Sequence, residues 1–394
     1  MRRYLPIACL ALLHALVDAV ATFIEPLWPE LRLARSLSER DFFLLQAVTA
    51  VAPNFSQILF GFVRDRFGSR YLLWLGPAVA TICLARIGLT ESVAALALLL
   101  AIGYVGVGSF HPEAVVCTGT LLPEQRTRAL SLFLFGGNLG LAIGPALSGN
   151  LVRQFDMGAL AGLAVPFVLL IIGLHLLSRR AVESAEIPHA PAVHDATQSI
   201  AAQWKLAAYL LLVCSLRVIP SIGMNRALAF TLEQRGFGSD VIGNFQSLFL
   251  LSGSAGILLV GSRFGRRSER WLIIASSWTG IPLLIALASP ACPTWLIVFL
   301  LVPTGVILNG TTPAMVSYAQ QLFPRDTGMA SALTMGVSYG TSGLAVAGMI
   351  AVIIDQFGQP NLLFAAFAPC LALAGLGAAA LPQIILPCPA VSDT

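Results

Sequence analysis

Twelve apolar stretches, each long enough to cross a hydrocarbon core as a helix, leave this chain little choice but a membrane-embedded helical bundle. They lie at roughly 5–28, 40–62, 71–90, 93–117, 128–152, 158–178, 204–232, 239–262, 271–289, 293–322, 328–354 and 361–382. Charged residues make up only 11% of the chain. A soluble domain carries about 25%, so this one could not clothe itself in a polar surface. The strand-type alternation of an outer-membrane barrel is absent. The expectation is an all-α membrane protein with twelve transmembrane helices.

Loop charge gives the orientation. Of the 23 Lys and Arg residues, only Arg32, Arg35, Arg40, Arg86, Arg153 and Arg235 fall on the side opposite the N-terminus. Arg217 and Arg226 fall inside a span, and the other fifteen lie on the N-terminal side. This positive-inside bias predicts cytoplasmic termini. The formal charge of +4 therefore reflects topology, and no basic cluster interleaved with aromatics suggests nucleic acid binding. Arg2, Arg3 and Ala19-Val20-Ala21 imitate a cleavable leader. Asp18 and an apolar run continuing to Trp28 argue instead for retention as the first helix. The seven cysteines are scattered and odd in number, without metal spacing, and read as packing residues.

The chain is duplicated. Gly68 and Gly265 close similar charged turns; Pro112 and Pro313 fall in the fourth helix of each half; Leu122-Pro123-Glu124 and Phe323-Pro324-Arg325 end those helices. These landmarks share an offset of roughly 200 positions. A polar stretch at 179–203, containing Glu183, Glu186, His189, His194 and Asp195, sits midway. The expected organisation is a six-helix bundle over 1–178, a cytoplasmic linker over 179–203, and a second bundle with a short cytoplasmic tail over 204–394.

After the second run comes Gly61-Phe62-Val63-Arg64-Asp65-Arg66-Phe67-Gly68-Ser69-Arg70. Gly61 would let a neighbouring helix approach closely. Gly68 would permit a tight turn. Asp65 can face Arg side chains or a helix N-terminus. The second copy has Ser262 in place of the acid. Turn and duplication together resemble the major facilitator superfamily, with its two pseudo-symmetric six-helix bundles. The resemblance implies that Gly61, Asp65, Arg66, Gly68 and Arg70 latch the cytoplasmic side shut in an outward-open state. The fifth run carries Gly136, Gly140, Gly144 and Ser148 at four-residue spacing, with Pro145 to bend it. Gly140-Leu141-Ala142-Ile143-Gly144-Pro145 is similar to the antiporter motif of proton-coupled drug exporters, and Gly140, Gly144 and Pro145 join the conformational-switch set.

Charges inside spans are the sharpest clues. An Asp at mid-depth costs about 2.5–3.5 kcal/mol on insertion scales, so such groups normally face a cavity and mark ion pathways. His14 and Asp18 share a helix face and are expected to exchange a proton near neutral pH. Glu25 lies seven residues on, near the outer surface. His111 and Glu113 flank Pro112 in the fourth run. These five are the proton-coupling candidates. Each could instead be a satisfied helix–helix hydrogen bond. A metal site from His14, Asp18, His111 and Glu113 lacks any metal-specific motif, and none is expected. Arg217 and Arg226 in the seventh run are the embedded cations; a cavity-facing one would attract an anionic substrate or a Glu. Asn54, Gln57, Asn138, Asn309, Gln320 and Tyr339 complete the substrate-binding candidates.

A narrower resemblance follows from four stretches. They are His14-x-x-x-Asp18 with Pro29; Gly108-Ser109-Phe110-His111-Pro112-Glu113; Gly136-Gly137-Asn138-Leu139-Gly140; and Tyr318-Ala319-Gln320-Gln321-Leu322-Phe323-Pro324 with Gly328-Met329. They resemble the fosmidomycin-resistance family of bacterial major facilitator exporters. The resemblance implies a multi-pass inner-membrane antiporter, monomeric, that exports a small organic compound in exchange for protons. Anionic, drug-like molecules are candidate cargo. Protons are the coupling ion and no cofactor is expected. The alternative is a proton-coupled importer of an organic acid or nutrient. No nucleophile–base motif or phosphate loop supports an enzyme.

Overall fold

In the computed structural model, described for residues 4–67, 70–122, 126–184, 203–263, 269–323 and 327–383, twelve helical segments are long and apolar enough to span a membrane. They are α1 (Leu5–Ala34), α2 (Glu39–Arg64), α3 (Leu72–Leu89), α4 (Val93–Leu121), α5 (Ala129–Gln154), α6 (Met157–Ser184), α7 (Trp204–Gln234), α8 (Ser239–Leu259), α9 (Glu269–Ala288), α10 (Thr294–Leu322), α11 (Met329–Phe357) and α12 (Leu362–Ala380). No strand occurs among the described residues. Local chemistry sets several ends. Ser92 accepts from the Ala95 amide at 3.2 Å and starts α4. Gly358, left-handed at φ 61°, stops α11. The sixth span continues to Ser184, so the first residues of the expected linker are helical. His189 and His194 lie outside the described residues.

Helices α1–α6 pack among themselves, chiefly α1 on α5, α2 on α4 and α3 on α4. Helices α7–α12 do likewise, chiefly α8 on α10, α9 on α12, and α7 on α11 and α12. The two bundles meet through α5 against α8 and α2 against α11. Adding six to each member of the pair α2–α5 gives α8–α11, so a twofold relation exchanges the two contacts. That is the duplication seen in the sequence, expressed as an interface.

The glycine ladder of α5 is the tightest seam within the first bundle. Gly136, Gly140 and Gly144 lie against the backbone carbonyls of Ala11, Ala15 and Ala19, in step along both helices. A side chain at any of the three would strike main chain. Pro145 has no amide, which frees the Leu141 carbonyl; the Thr22 hydroxyl reaches toward it at 3.5 Å. The Pro145 carbonyl itself faces Gly243 of α8. Ser148 is fully buried and hydrogen-bonds the Pro145 carbonyl at 3.3 Å.

Polar contacts between the bundles cluster at the end carrying Ala34, Gln154 and Ser239, the outer end by the charge bias. Arg32 pairs with Asp355. Ser239 Oγ donates to the Gly149 carbonyl at 3.1 Å, and Asn150 to Asn244 at 3.1 Å. Trp28, Phe42 and Phe230 stack edge to face across the seam, with centroids 5.5 and 5.7 Å apart. The two bundles are in contact at this end, which the charge bias predicts to be the outer one.

Three departures from regular helix were not expected. Helix α1 is interrupted near Thr22 and resumes through a short turn at Glu25–Leu27. Helix α10 divides into Thr294–Gly310 and Thr312–Leu322, just before Pro313. Helix α11 contains a π turn, Ala332–Val337, a feature that often marks functional positions. Six of the seven cysteines lie among the described residues, and all six are free.

Candidate functional site

His14, Asp18 and His111 converge. Asp18 stands about 20 Å along α1 from Leu5, near mid-depth. Its two carboxylate oxygens take one imidazole each: His14 Nε2 at 3.2 Å from Oδ2, and His111 Nε2 at 3.3 Å from Oδ1. The far side of each ring is fixed by main chain. His14 Nδ1 lies 2.9 Å from the Phe133 carbonyl, and His111 Nδ1 lies 2.8 Å from the Val107 carbonyl. A carbonyl oxygen only accepts, so both Nδ1 atoms carry hydrogen and donate. Both Nε2 atoms are thereby aimed at the carboxylate.

This arrangement decides where protons can sit. With an ionised Asp18 and two neutral imidazoles, lone pairs oppose lone pairs at both contacts. One added proton satisfies one contact, and two satisfy both. The trio therefore offers two proton seats around one carboxylate, and its protons belong to the cluster more than to any member. His14 is clamped by packing: Phe133 stacks on it at 4.1 Å, and Gly137 lies directly against its ring. His111 is the looser partner, with its side chain 20% exposed against 6% for His14. The donor atoms of the three lie within 4.8 Å of one another, without Glu113.

Glu113 is separated from the trio. Two residues after His111, it points around the helix, and its carboxylate lies 3.8 Å from Arg64 Nε of α2. Glu25 is also separate, about 10 Å further along α1 than Asp18. It faces Arg226 of α7, with Oε1 3.6 Å from Nη2. Arg226 also donates to Thr49 Oγ1 of α2 at 3.0 Å.

Arg217 does not face a cavity. Its guanidinium is turned into the second bundle, and the residue is 1% exposed. It donates to the carbonyls of Ile307 at 2.8 Å and Leu308 at 3.2 Å, to Thr311 Oγ1 at 2.9 Å and to Ser276 Oγ at 3.1 Å. Those carbonyls lost their helical donors where α10 breaks, and Arg217 serves as a C-cap. It is also the repeat counterpart of the trio's anchoring: Leu308 and Val107, whose carbonyl holds His111, are 201 positions apart. The Leu308 carbonyl also accepts from Ser221 Oγ at 3.1 Å, so Arg217→Met strands the Ile307 carbonyl and is expected to lower the unfolding midpoint of purified protein by about 2–6 °C, since a stranded buried carbonyl costs about 1–3 kcal/mol. An unchanged midpoint with altered transport would return Arg217 to the substrate set.

A twelve-span chain with a titratable trio in its first bundle and a matching cap in its second has a definite set of relatives. The sequence profile of the Major Facilitator Superfamily matches residues 10–346. The chain belongs to that superfamily. It is 27% identical to the fosmidomycin resistance protein of Escherichia coli (strain K12) over 359 residues, covering 88% of this chain and 86% of that one. It is 25% identical to the MFS-type transporter YfnC of Bacillus subtilis (strain 168) over 373 residues, 91% and 89% of the two chains. Among solved structures it shares its fold with the nucleoside transporter NupG, at TM-score 0.75 and 13% identity over 96% of this chain and 99% of that one. The inward open xylose transporter XylE of E. coli matches at TM-score 0.71 and 16% identity, over 96% of each. These relatives are transporters, and the chain is a multi-pass secondary transporter of the same superfamily.

The superfamily turn after α2 lies partly outside the described residues: Gly68 entirely, Asp65 and Arg66 by their side chains. Arg70 hydrogen-bonds the Glu183 carbonyl at the end of α6. Gly61 faces open space in this conformation: a methyl group added there would meet no atom within 4 Å. The close approach expected there is not made in this structure. Of the remaining polar candidates, most make contacts with their own or a neighbouring helix. Asn54 donates to the Ala50 carbonyl and lies against Gly340 of α11. Gln57 is half-buried. Asn138 donates to the Leu134 carbonyl. Asn309 packs on Gly253. Gln320 donates to Ser331 Oγ at 2.8 Å, and Tyr339 shares a hydrogen bond with Thr312.

Reading the sequence alone missed Thr49, which accepts from Arg226, Gln246, which donates to the Glu25 and Asn225 carbonyls, and the buried Gln46, one turn before Thr49. A usable signal existed: Gln46 and Gln246 are 200 positions apart, the repeat offset. The Phe133 carbonyl that holds His14 has no sequence signature.

Proposed function

We propose that this transporter is a proton-coupled antiporter of a bacterial inner membrane, with both termini cytoplasmic, that exports a small organic compound by alternating access. The observation that carries this reading is the pair of imidazoles locked by main-chain carbonyls onto one buried carboxylate. Two proton seats at mid-depth, with one ring partly open, suit a site that loads protons from one side and yields them to the other. A group with no such role would not repay the cost of burying three ionisable side chains in a membrane-spanning bundle.

Coupling requires that substrate and proton each favour one conformation or one protonation form over the other. In the outward-facing form protons load Asp18, His14 and His111 and favour release of cargo. In the inward-facing form the trio yields protons and cargo enters between the bundles. The small-residue seam of α1 and α5 carries His14, Asp18 and the antiporter-like motif together. Movement of that pair would therefore be felt at the trio. The likeness to the fosmidomycin resistance protein supports export of a drug-like compound, and the embedded Arg226 suits an anionic one. The chain works as a monomer without a cofactor in this reading.

The test begins with a resistance panel in a strain lacking its own exporters, with and without this chain. A compound against which the chain protects is then added to proteoliposomes containing a pH-sensitive dye. Antiport predicts proton movement opposite to that of the compound. Movement in the same direction would identify the importer alternative, and no movement would remove the protons from the mechanism.

A further inference from the structure

Glu25 and Arg226 are 201 positions apart, the offset of the internal repeat. They are thus counterparts in the two bundles, and they meet each other. Repeat counterparts can touch only where the twofold axis passes between them, which is the axis of the transport path. Both are enclosed at the predicted outer end: Arg226 is 3% exposed, and Glu25 Oε2 is buried.

The pair is incompletely satisfied. Arg226 Nε and Nη1 have no hydrogen-bond partner, and neither has Glu25 Oε2. The single ion contact, at 3.6 Å, is longer than a charge-assisted hydrogen bond. The surrounding groups are neutral. Gln46 is fully buried with both amide atoms unpartnered, and Gln246 Oε1 and Asn225 Oδ1 are unpartnered too. Gln246 donates to the carbonyls of Asn225 at 2.8 Å and Glu25 at 3.2 Å, tying α8 to α7 and α1. The ionisable groups that face Glu25 are Arg226 on α7 and Tyr104 on α4, whose hydroxyl donates to the Ala21 carbonyl at 2.7 Å. Helix α2 presents Thr49 to Arg226, and helix α8 presents Gln246 to the Glu25 carbonyl.

With Glu25 withdrawn, Arg226 would present Nη2 together with its unpartnered Nε or Nη1, an adjacent donor pair for a bidentate anion. We propose that Arg226 is an anion-binding residue of the transport path, and that Glu25 fills its site in this conformation as an internal stand-in for the oxyanion group of the cargo. When the bundles part at the outer end, Glu25 leaves with α1 and Arg226 with α7. Glu25 then takes a proton from the outer solution, and Arg226 takes the anion. The junction keeps its charge balance: the carboxylate that leaves Arg226 is neutralised by the incoming proton, and the anion replaces it. The proton in this scheme rests on the exchange reading above; the anion site does not.

The anion site is tested without cargo or gradient, by thermal unfolding of the full chain in nanodiscs with methylphosphonate as probe and tetraethylammonium as the cationic control. Glu25→Gln is expected to show a saturable rise in midpoint of about 3–5 °C at roughly 100-fold over half-saturation. Tetraethylammonium should give none, and E25Q/R226Q should not respond to methylphosphonate. The wild-type chain reads the same site with no variant: its response should be small near neutral pH and grow when the pH is lowered by about two units. A double variant that responds as fully as Glu25→Gln, or a wild-type response indifferent to pH, would overturn the proposal. Failure of proton movement in the liposome assay would instead defeat the exchange reading and leave this binding result standing.

Discussion

Asp18→Asn is expected to abolish proton-driven transport, lowering it by at least about 100-fold, while leaving the protein folded and inserted. Asparagine keeps the shape and can donate from its amide to one Nε2, while its oxygen is left facing the unprotonated Nε2 of the other ring. What it removes is the carboxylate, and with it the reason for a proton to sit at either Nε2. Both histidines keep their main-chain anchors at Phe133 and Val107, so helices α1, α4 and α5 should stay in register. Transport down the compound's own gradient should survive, because it asks nothing of a proton. The measurement compares compound flux in proteoliposomes with and without an imposed pH gradient. Equal stimulation of variant and wild type would take Asp18 out of the mechanism.

The second large effect is structural. Gly140→Val should prevent accumulation of folded protein, because its branched side chain would enter the main chain of Ala15. Neither backbone can yield alone: Gly136 and Gly144 hold the same two helices at Ala11 and Ala19. Overpacking in a core that can relax costs about 1–3 kcal/mol, and a seam fixed on both sides cannot relax. Gly173→Val is the control. It is the same change in a membrane helix, at a glycine with nothing within 4 Å of the added carbon. Detergent-extracted yield and monodispersity should fall sharply for the first and stay near wild type for the second. Equal yields would mean that the α1–α5 seam is looser than described.

Much of this architecture is legible in the sequence because the membrane removes options. A backbone with no water to bond must close its own hydrogen bonds, so length and apolarity alone place all twelve spans. The repeat offset then fixes which helices correspond. The His14–Asp18 face follows from four-residue spacing on one helix. That His111 would join them does not, because it depends on how α4 packs against α1. Arg217 shows the limit. An embedded cation with no acid in sequence reach suggests an anionic cargo. Its true partners are the carbonyls of Ile307 and Leu308, which become acceptors only because α10 breaks. Backbone acceptors carry no side-chain signature. Gly61 shows a second limit: the close helix approach expected there is absent from this structure.

The central claim is that His14 and His111 share protons with Asp18, each donating from Nδ1 to main chain and offering Nε2 to the carboxylate. Nitrogen-15 NMR of the imidazoles in nanodiscs tests it most directly, since the chain has only five histidines to resolve. The expected result is two rings that keep hydrogen at Nδ1, gain and lose hydrogen at Nε2 in two coupled steps that both rings report, and become independent in Asp18→Asn. Rings that carry their neutral-state hydrogen at Nε2, or that titrate identically with and without the carboxylate, would contradict it.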